Sequence, residues 1–255
     1  MVNSLLRANN LSIGFKENLL FRSINIEESA GNIIALIGSN GRGKSTLLKT
    51  LANLEKQIDG DITINGENIN NLSSRRLSEL ITFVSPVSER VQYLKVEDML
   101  SINCYHRTNW IGSLNEEEKN KIKSALKLVG LDGFATRNCN SLSDGEFQRA
   151  TIAGAIVLNS KIIMLDEPTA FLDVPNKLLI TKLLRDIAHS KDKLIIFSTH
   201  DIKLAMDYCD RLWIMTPDNF YTGTPEELIK DNIPDKMFLE RGIRFNPDEK
   251  NFIFG

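Results

Sequence analysis

Gly38-Ser39-Asn40-Gly41-Arg42-Gly43-Lys44-Ser45-Thr46 has the residue types and spacing to hold a polyphosphate. It fits the pattern G-x-x-x-x-G-K-[ST]. The glycines let the backbone curl so that successive N–H groups converge on an anion. A helix beginning at the loop adds the positive end of its dipole beneath the phosphates. Lys44 would then reach the β- and γ-phosphates, and the Ser45 hydroxyl would ligate Mg2+. Further along, Leu142-Ser143-Asp144-Gly145-Glu146 forms a second phosphate-type segment, upstream of an apolar run that ends in Asp166-Glu167. Acids at the C-terminal end of a buried strand suit two roles. Asp166 would hold Mg2+ through water, and Glu167 would orient or deprotonate an attacking water. Neighbouring strand residues point to opposite sides, but both carboxylates can face one crevice once the chain leaves the strand.

These residues need elements to position them. Asn32–Ile37 is apolar and β-branched enough for a buried strand, and Ser45–Leu54 has helical spacing, which is the context the loop requires. Leu5–Ile13 and Ser23–Glu28 read as earlier strands, and Asp61–Asn65 with Gly66 as a hairpin whose turn is Asn65-Gly66. Leu80–Val84 is a further core strand. From Pro86 to Asn140 the pattern turns helical; Asn115–Val129 combines three glutamates at its start with Ile122, Ala125, Leu126 and Val129, and Gly130 stops it. A second helix carries Ala150, Ile152, Ala153, Ile156 and Val157 and leads into the strand Lys161–Leu165. Leu178–Ala188 is helical, Leu194–Thr199 a strand and Ile202–Cys209 helical; everything after Arg211 is less regular and reads as a peripheral tail. Strands alternating with helices predict an α/β fold with a mostly parallel sheet, an antiparallel patch beside it and a helical subdomain. The expected division is a nucleotide-binding core (1–85 and 150–215), a helical part (86–149) and a tail (216–255).

A length of 255 residues accommodates one large α/β domain. A net charge of −2 with scattered basic residues gives no field to attract nucleic acid. Cys104, Cys139 and Cys209 are odd in number and far apart, which suits small buried hydrophobes in a reducing compartment. Met1–Asn10 lacks the apolar centre of a secretory leader, and no apolar stretch approaches a membrane span. Contact with a membrane is therefore expected only through another protein.

The ordered set of motifs resembles the ATPase subunits of ATP-binding cassette (ABC) transporters. Leu142–Arg149 is similar to that family's signature motif, Met164-Leu165-Asp166-Glu167-Pro168-Thr169 to its acidic strand end, and Ala170–Asp173 to its D-loop. His200, within Ser198-Thr199-His200-Asp201, is similar to its switch histidine or is an ordinary strand-end histidine. Phe15 stands where the family stacks an aromatic on adenine, unless it is a core residue. The resemblance implies a P-loop NTPase core, ATP and Mg2+ as ligands, and a homodimer in which each ATP lies between one copy's loop and the other's signature segment. Ser143, Gly145 and the helix start that includes Glu146 would meet the γ-phosphate, His200 would touch it, and Asp173 would join the two sites. It also implies transmembrane permease subunits, a periplasmic-type binding protein and a place on the cytoplasmic face of the membrane.

Three positions depart from that family's usual pattern. Ser39 replaces a proline, and Arg42 replaces a small residue, its cation either adding to phosphate attraction or pointing outward. Pro86 stands where a Mg2+-ligating glutamine is usual and has no side-chain oxygen; Gln92 or water would have to substitute. Tyr105–Gly112, with Thr108-Asn109-Trp110-Ile111-Gly112, is similar to a segment of importers for iron–siderophores, haem and cobalamin. The expected function is ATP hydrolysis that drives uptake of such a metal chelate. The alternatives are a soluble non-transport ABC ATPase and a weakly hydrolysing regulator.

Overall fold

The computed structural model describes residues 4–15, 18–85, 90–102, 115–238 and 242–254. Pro86, Cys104 and Tyr105–Gly112 lie outside the described residues.

Strand β3 (Ile33–Gly38) is buried throughout, as are β7 (Ile162–Leu165) and β8 (Leu194–Ser198). Such runs form when both faces of a parallel sheet are covered. With β6 (Ile81–Val84), β9 (Arg211–Met215) and β10 (Phe220–Gly223) they form a six-stranded sheet in the order β10-β9-β3-β8-β7-β6. Every pairing is parallel except β9–β10. Alternation along the strands divides the core into two layers. Ile33, Ala35, Ile37, Ile163, Leu165 and Phe197 face one side, and Ile34, Leu36, Ile162, Met164, Ile196 and Trp213 face the other.

The second layer receives helix α1 (Lys44–Leu51), through Leu47, Leu48 and Leu51, and an antiparallel sheet in the order β2-β1-β4-β5. That sheet contains β1 (Leu6–Phe15), β2 (Asn18–Glu28), β4 (Asp59–Ile64) and β5 (Glu67–Asn68). Asn65 (φ 51°) and Gly66 (φ 80°) turn β4 into β5, the left-handed pair that a two-residue hairpin needs. Glu28, at the end of β2, is almost fully buried and accepts from Trp213 Nε1 at 2.9 Å and Arg211 Nε at 3.0 Å. Burial pushes its carboxyl pKa up, while these two donors pull against the rise and tie the two sheets together.

The first layer is covered by helices α3 (Val96–Ile102), α4 (Glu116–Leu128), α5 (Asp144–Leu158), α6 (Val174–Ser190), α7 (Ile202–Tyr208) and α8 (Pro225–Lys230), whereas α2 (Ser74–Leu80) packs Leu77 and Leu80 on the second. Asn115 and Glu118 form a reciprocal capping box at the start of α4, and Gly130 (φ 73°) ends it.

One expectation is corrected. The stretch after Arg211 is not irregular and peripheral: β9 pairs with β3, Trp213 is wholly buried, and β10 extends the same sheet. Beyond it, Leu228, Ile233, Met237 and Phe245 join the helical layer, and β11 (Ile243–Asn246) pairs with β12 (Asn251–Phe254). The prolines and glycine that suggested a tail are the turns between these short elements. Helix α2 was not anticipated, since its two leucines are too few to show a periodicity.

Candidate active site

Because β3, β7 and β8 run parallel, with Leu36 opposite Ser198 and Leu165 opposite Phe197, their C-terminal ends share one edge. The residues singled out at 38–46, 166–167 and 200 all emerge there, the usual place for a ligand in an open α/β sheet.

The loop after β3 takes its shape from glycine. Gly41 (φ 77°) and Gly43 (φ 94°) are both left-handed. A side chain at Gly43 would find room beside Leu20 and Ile13, so the left-handed backbone is what calls for glycine there. Gly43 occupies the cap position of α1 without a side-chain hydrogen bond, so the helix's first N–H groups are left to an external acceptor. Lys44 is buried, and its Nζ donates to Gly38 O at 2.8 Å and Ser39 O at 3.4 Å. Burial lowers its pKa, and the carboxylates of Glu167 and Asp166 oppose that shift, so the cation sits within electrostatic reach of the acid pair. Ser45, Asn40, Gly41 and Arg42 are exposed, Ser39 is half-buried and Thr46 buried. Arg42 lines a cleft with Ser39, Asn40, Asp218, Asn219 and Lys236.

Asp166 is 3% exposed and accepts a hydrogen bond from Ser198 Oγ at 2.6 Å. The Glu167 N–H donates to the same Ser198 Oγ at 2.8 Å. Glu167 has φ 49°, a conformation that costs a side-chain-bearing residue about 1–3 kcal/mol. The left-handed turn swings its carboxylate away from the strand direction, where His200 Nε2 meets Glu167 Oε1 at 2.7 Å. Serine, two acids and histidine thus form one connected network across the ends of β7 and β8. Sequence reading missed Ser198, although a hydroxyl closing the apolar run Leu194–Phe197 was the available signal. A cleft of about 340 Å3 lined by Gly38, Ser39, Asn40 and His200 is also lined by Phe238 and Phe252 from the C-terminal region.

The second motif is placed elsewhere. Ser143 caps α5: its Oγ accepts from the Glu146 N–H at 3.2 Å, and its own N–H donates to Glu146 Oε2 at 2.8 Å. These bonds hold the Glu146 carboxyl below its usual pKa. Gly145 abuts Leu172 and Phe171, where a side chain would come within 3.3 Å of Leu172. Asp173 accepts from Asn176 N at 3.1 Å and caps α6. Among the described residues, no hydrogen bond or ion pair joins Ser143, Gly145, Glu146 or Asp173 to the loop 38–46.

Phe15 is 54% exposed at the end of β1, which removes the core alternative. It lies two residues beyond Ile13, whose side chain approaches Gly43. If it stacks on a nucleobase, Phe15→Ala will raise the nucleotide Kd about threefold to tenfold, and Phe15→Trp will hold it near the native value. Titration of a fluorescent ATP analogue measures this; an unchanged Kd in the alanine variant removes Phe15 from the site. Gln92 is exposed in the turn after Arg90.

Comparison with known proteins adds three likenesses and a family. Residues 21–170 match the family model described as ABC transporter. The petrobactin import ATP-binding protein FpuC of Bacillus anthracis is 31% identical over 97% of this chain and 92% of its own. A solved transporter assigned to the metal-chelate type, in an inward-facing conformation, superposes with a TM-score of 0.80 at 26% identity, covering 98% of this chain and 96% of that one. The ATP-binding cassette MJ0796, solved as a dimer in a post-hydrolysis state with ADP and Pi, gives 0.76 at 25% identity over 86% and 98%.

Proposed function

This chain belongs to the ABC transporter family and is an ATPase, and from that premise we propose that it powers an importer of a metal chelate of the iron–siderophore, haem or cobalamin type. The import reading is supported by the likeness to FpuC, and the cargo class by the likeness to the metal-chelate type transporter.

One observation carries the mechanism. The loop 38–46 and the network Asp166–Ser198–Glu167–His200 share one edge, whereas Ser143 and the start of α5 have no hydrogen bond to that loop among the described residues. Each copy therefore presents one half of two different sites, and a head-to-tail pair completes both. ATP held on the loop of one copy is then met by the α5 N-terminus of the second, and the nucleotide itself bonds the pair. Lys44 leaves the carbonyls of Gly38 and Ser39 to take phosphate oxygens. Glu167 takes a proton from the attacking water, with His200 Nε2–H holding its Oε1 in place. Loss of the γ-phosphate contacts after hydrolysis loosens the pair, a two-state switch driven by ligand.

The donor set suits Mg2+. A hydroxyl at Ser45 and a carboxylate at Asp166 are hard oxygen ligands, and Mg2+ is normally held by one or two such groups plus nucleotide phosphates. Ser45 would bind it directly and Asp166 through water; bound there, it neutralises developing phosphate charge. No helix among the described residues is long and apolar enough to cross a membrane. We place the chain on the cytoplasmic face, held by two permease subunits and served by a periplasmic-type binding protein, with no nucleic-acid partner. The division into a core (1–85 and 150–215) and a helical part (86–149) belongs to the same proposal.

Uptake tests the reading. Cells lacking the chain should fail to accumulate at least one of a panel of labelled ferric siderophores, haem and cobalamin. The native chain should restore that uptake and Lys44→Ala should not. Normal uptake of every compound without the chain would contradict an importer of this class.

A further inference from the structure

Helix α5 has an electrostatic difficulty that the rest of its site does not explain. If its N-terminus receives a polyphosphate, two carboxylates in its first turn, Asp144 and Glu146, stand beside that charge. Glu146 is folded back onto Ser143. Asp144 has no such internal tie, and its side chain is 74% exposed. It is instead paired with Arg90, a residue 54 positions earlier in the chain.

Arg90 is built into this place by three contacts. Its Nη2 pairs with Asp144 Oδ1, its Nη1 donates to Leu142 O at 2.7 Å, and its guanidinium lies over the Phe147 ring at 5.0 Å. The side chain is only 27% exposed, so the cation is held against the helix rather than solvated. A planar fork that bonds a carbonyl and a carboxylate on either side of the cap residue Ser143 also fixes the direction of α5.

We propose that Arg90 is the positioning residue of the second half-site: by cancelling Asp144 and anchoring Leu142 and Phe147, it makes the α5 N-terminus acceptable to the γ-phosphate of an ATP carried by a second copy of the chain. The proposal rests on the two-copy reading above. Arg90 touches no phosphate on its own copy's loop. It acts on assembly and turnover, not on the affinity of a single copy for nucleotide.

The test compares Arg90→Ala, Arg90→Lys and the double variant Arg90→Ala/Asp144→Ala, measuring Mg-ATP turnover in the native background and ATP-driven dimerisation in a Glu167→Gln background. Arg90→Ala should weaken dimerisation and lower kcat about tenfold to a hundredfold, while the single-copy Kd for a fluorescent ATP analogue stays within about twofold. Arg90→Lys, which keeps the charge, should lose less. Removing Asp144 as well should restore the part of the loss that comes from its uncancelled charge, which a purely structural role for Arg90 would not allow. A double variant as impaired as Arg90→Ala, or an Arg90→Ala protein indistinguishable from native, would overturn the proposal. Failure of Glu167→Gln alone to dimerise with ATP would instead overturn the two-copy reading and this proposal with it.

Discussion

Glu167→Gln will bind Mg-ATP as tightly as the native chain, hydrolyse it about a hundredfold to ten-thousandfold more slowly, and accumulate as a nucleotide-bound dimer. The range is that of a positioned general base. Glutamine is close to isosteric, so the left-handed turn at residue 167 and the N–H bond to Ser198 Oγ at 2.8 Å can persist. What is lost is the proton acceptor beside His200, the 2.7 Å contact to Oε1 becoming a neutral hydrogen bond or none. Removing one negative charge near the phosphates also eases their approach, so affinity has no reason to fall. With binding intact and hydrolysis blocked, the paired state has no exit. Phosphate release together with size-exclusion chromatography in the presence of ATP reads both effects. Turnover near the native rate would remove Glu167 as the base.

Lys44→Ala will lower the affinity for ATP about a hundredfold. Two charge-assisted hydrogen bonds to phosphate oxygens contribute about 3 kcal/mol together, and that figure is the logarithm of the expected change. The fold should survive. Among the described residues, Lys44 Nζ bonds only the carbonyls of Gly38 and Ser39, and the loop's shape comes from the positive φ of Gly41 and Gly43. Calorimetric titration with ATP gives the affinity, and a thermal melt shows whether the protein remains folded. Native affinity in a folded variant would mean that loop 38–46 does not hold the phosphates.

These expectations differ in how far they could be read from the residues alone. The loop, the Asn65-Gly66 turn and the acidic start and glycine stop of α4 were legible because each is decided by neighbours a few residues apart. The parallel sheet was legible because strands buried on both faces have no polar alternation. Ser198 and Arg90 were not. Ser198 acts by reaching from β8 to the end of β7, and Arg90 by reaching across more than fifty positions to α5. The hydroxyl at the end of an apolar run hints at Ser198, but neither partner can be read from neighbouring residues. β9 was misjudged because its five residues sit between turn signals, while its burial depends on pairing with β3 on one side and β10 on the other. Asp173 shows the converse. Its resemblance to the family's D-loop implied a role between two sites, and within one copy its carboxylate is already occupied in capping α6.

The central claim is that the site works for a membrane importer. Its most direct test is purification of the tagged chain from gently solubilised native membranes, with the co-purifying proteins identified by mass spectrometry. Recovery of a many-helix permease together with a periplasmic-type binding protein is the predicted result, and the ligand of that binding protein would then name the cargo. Recovery of soluble partners alone would contradict the transport role and leave an ABC ATPase with a different task.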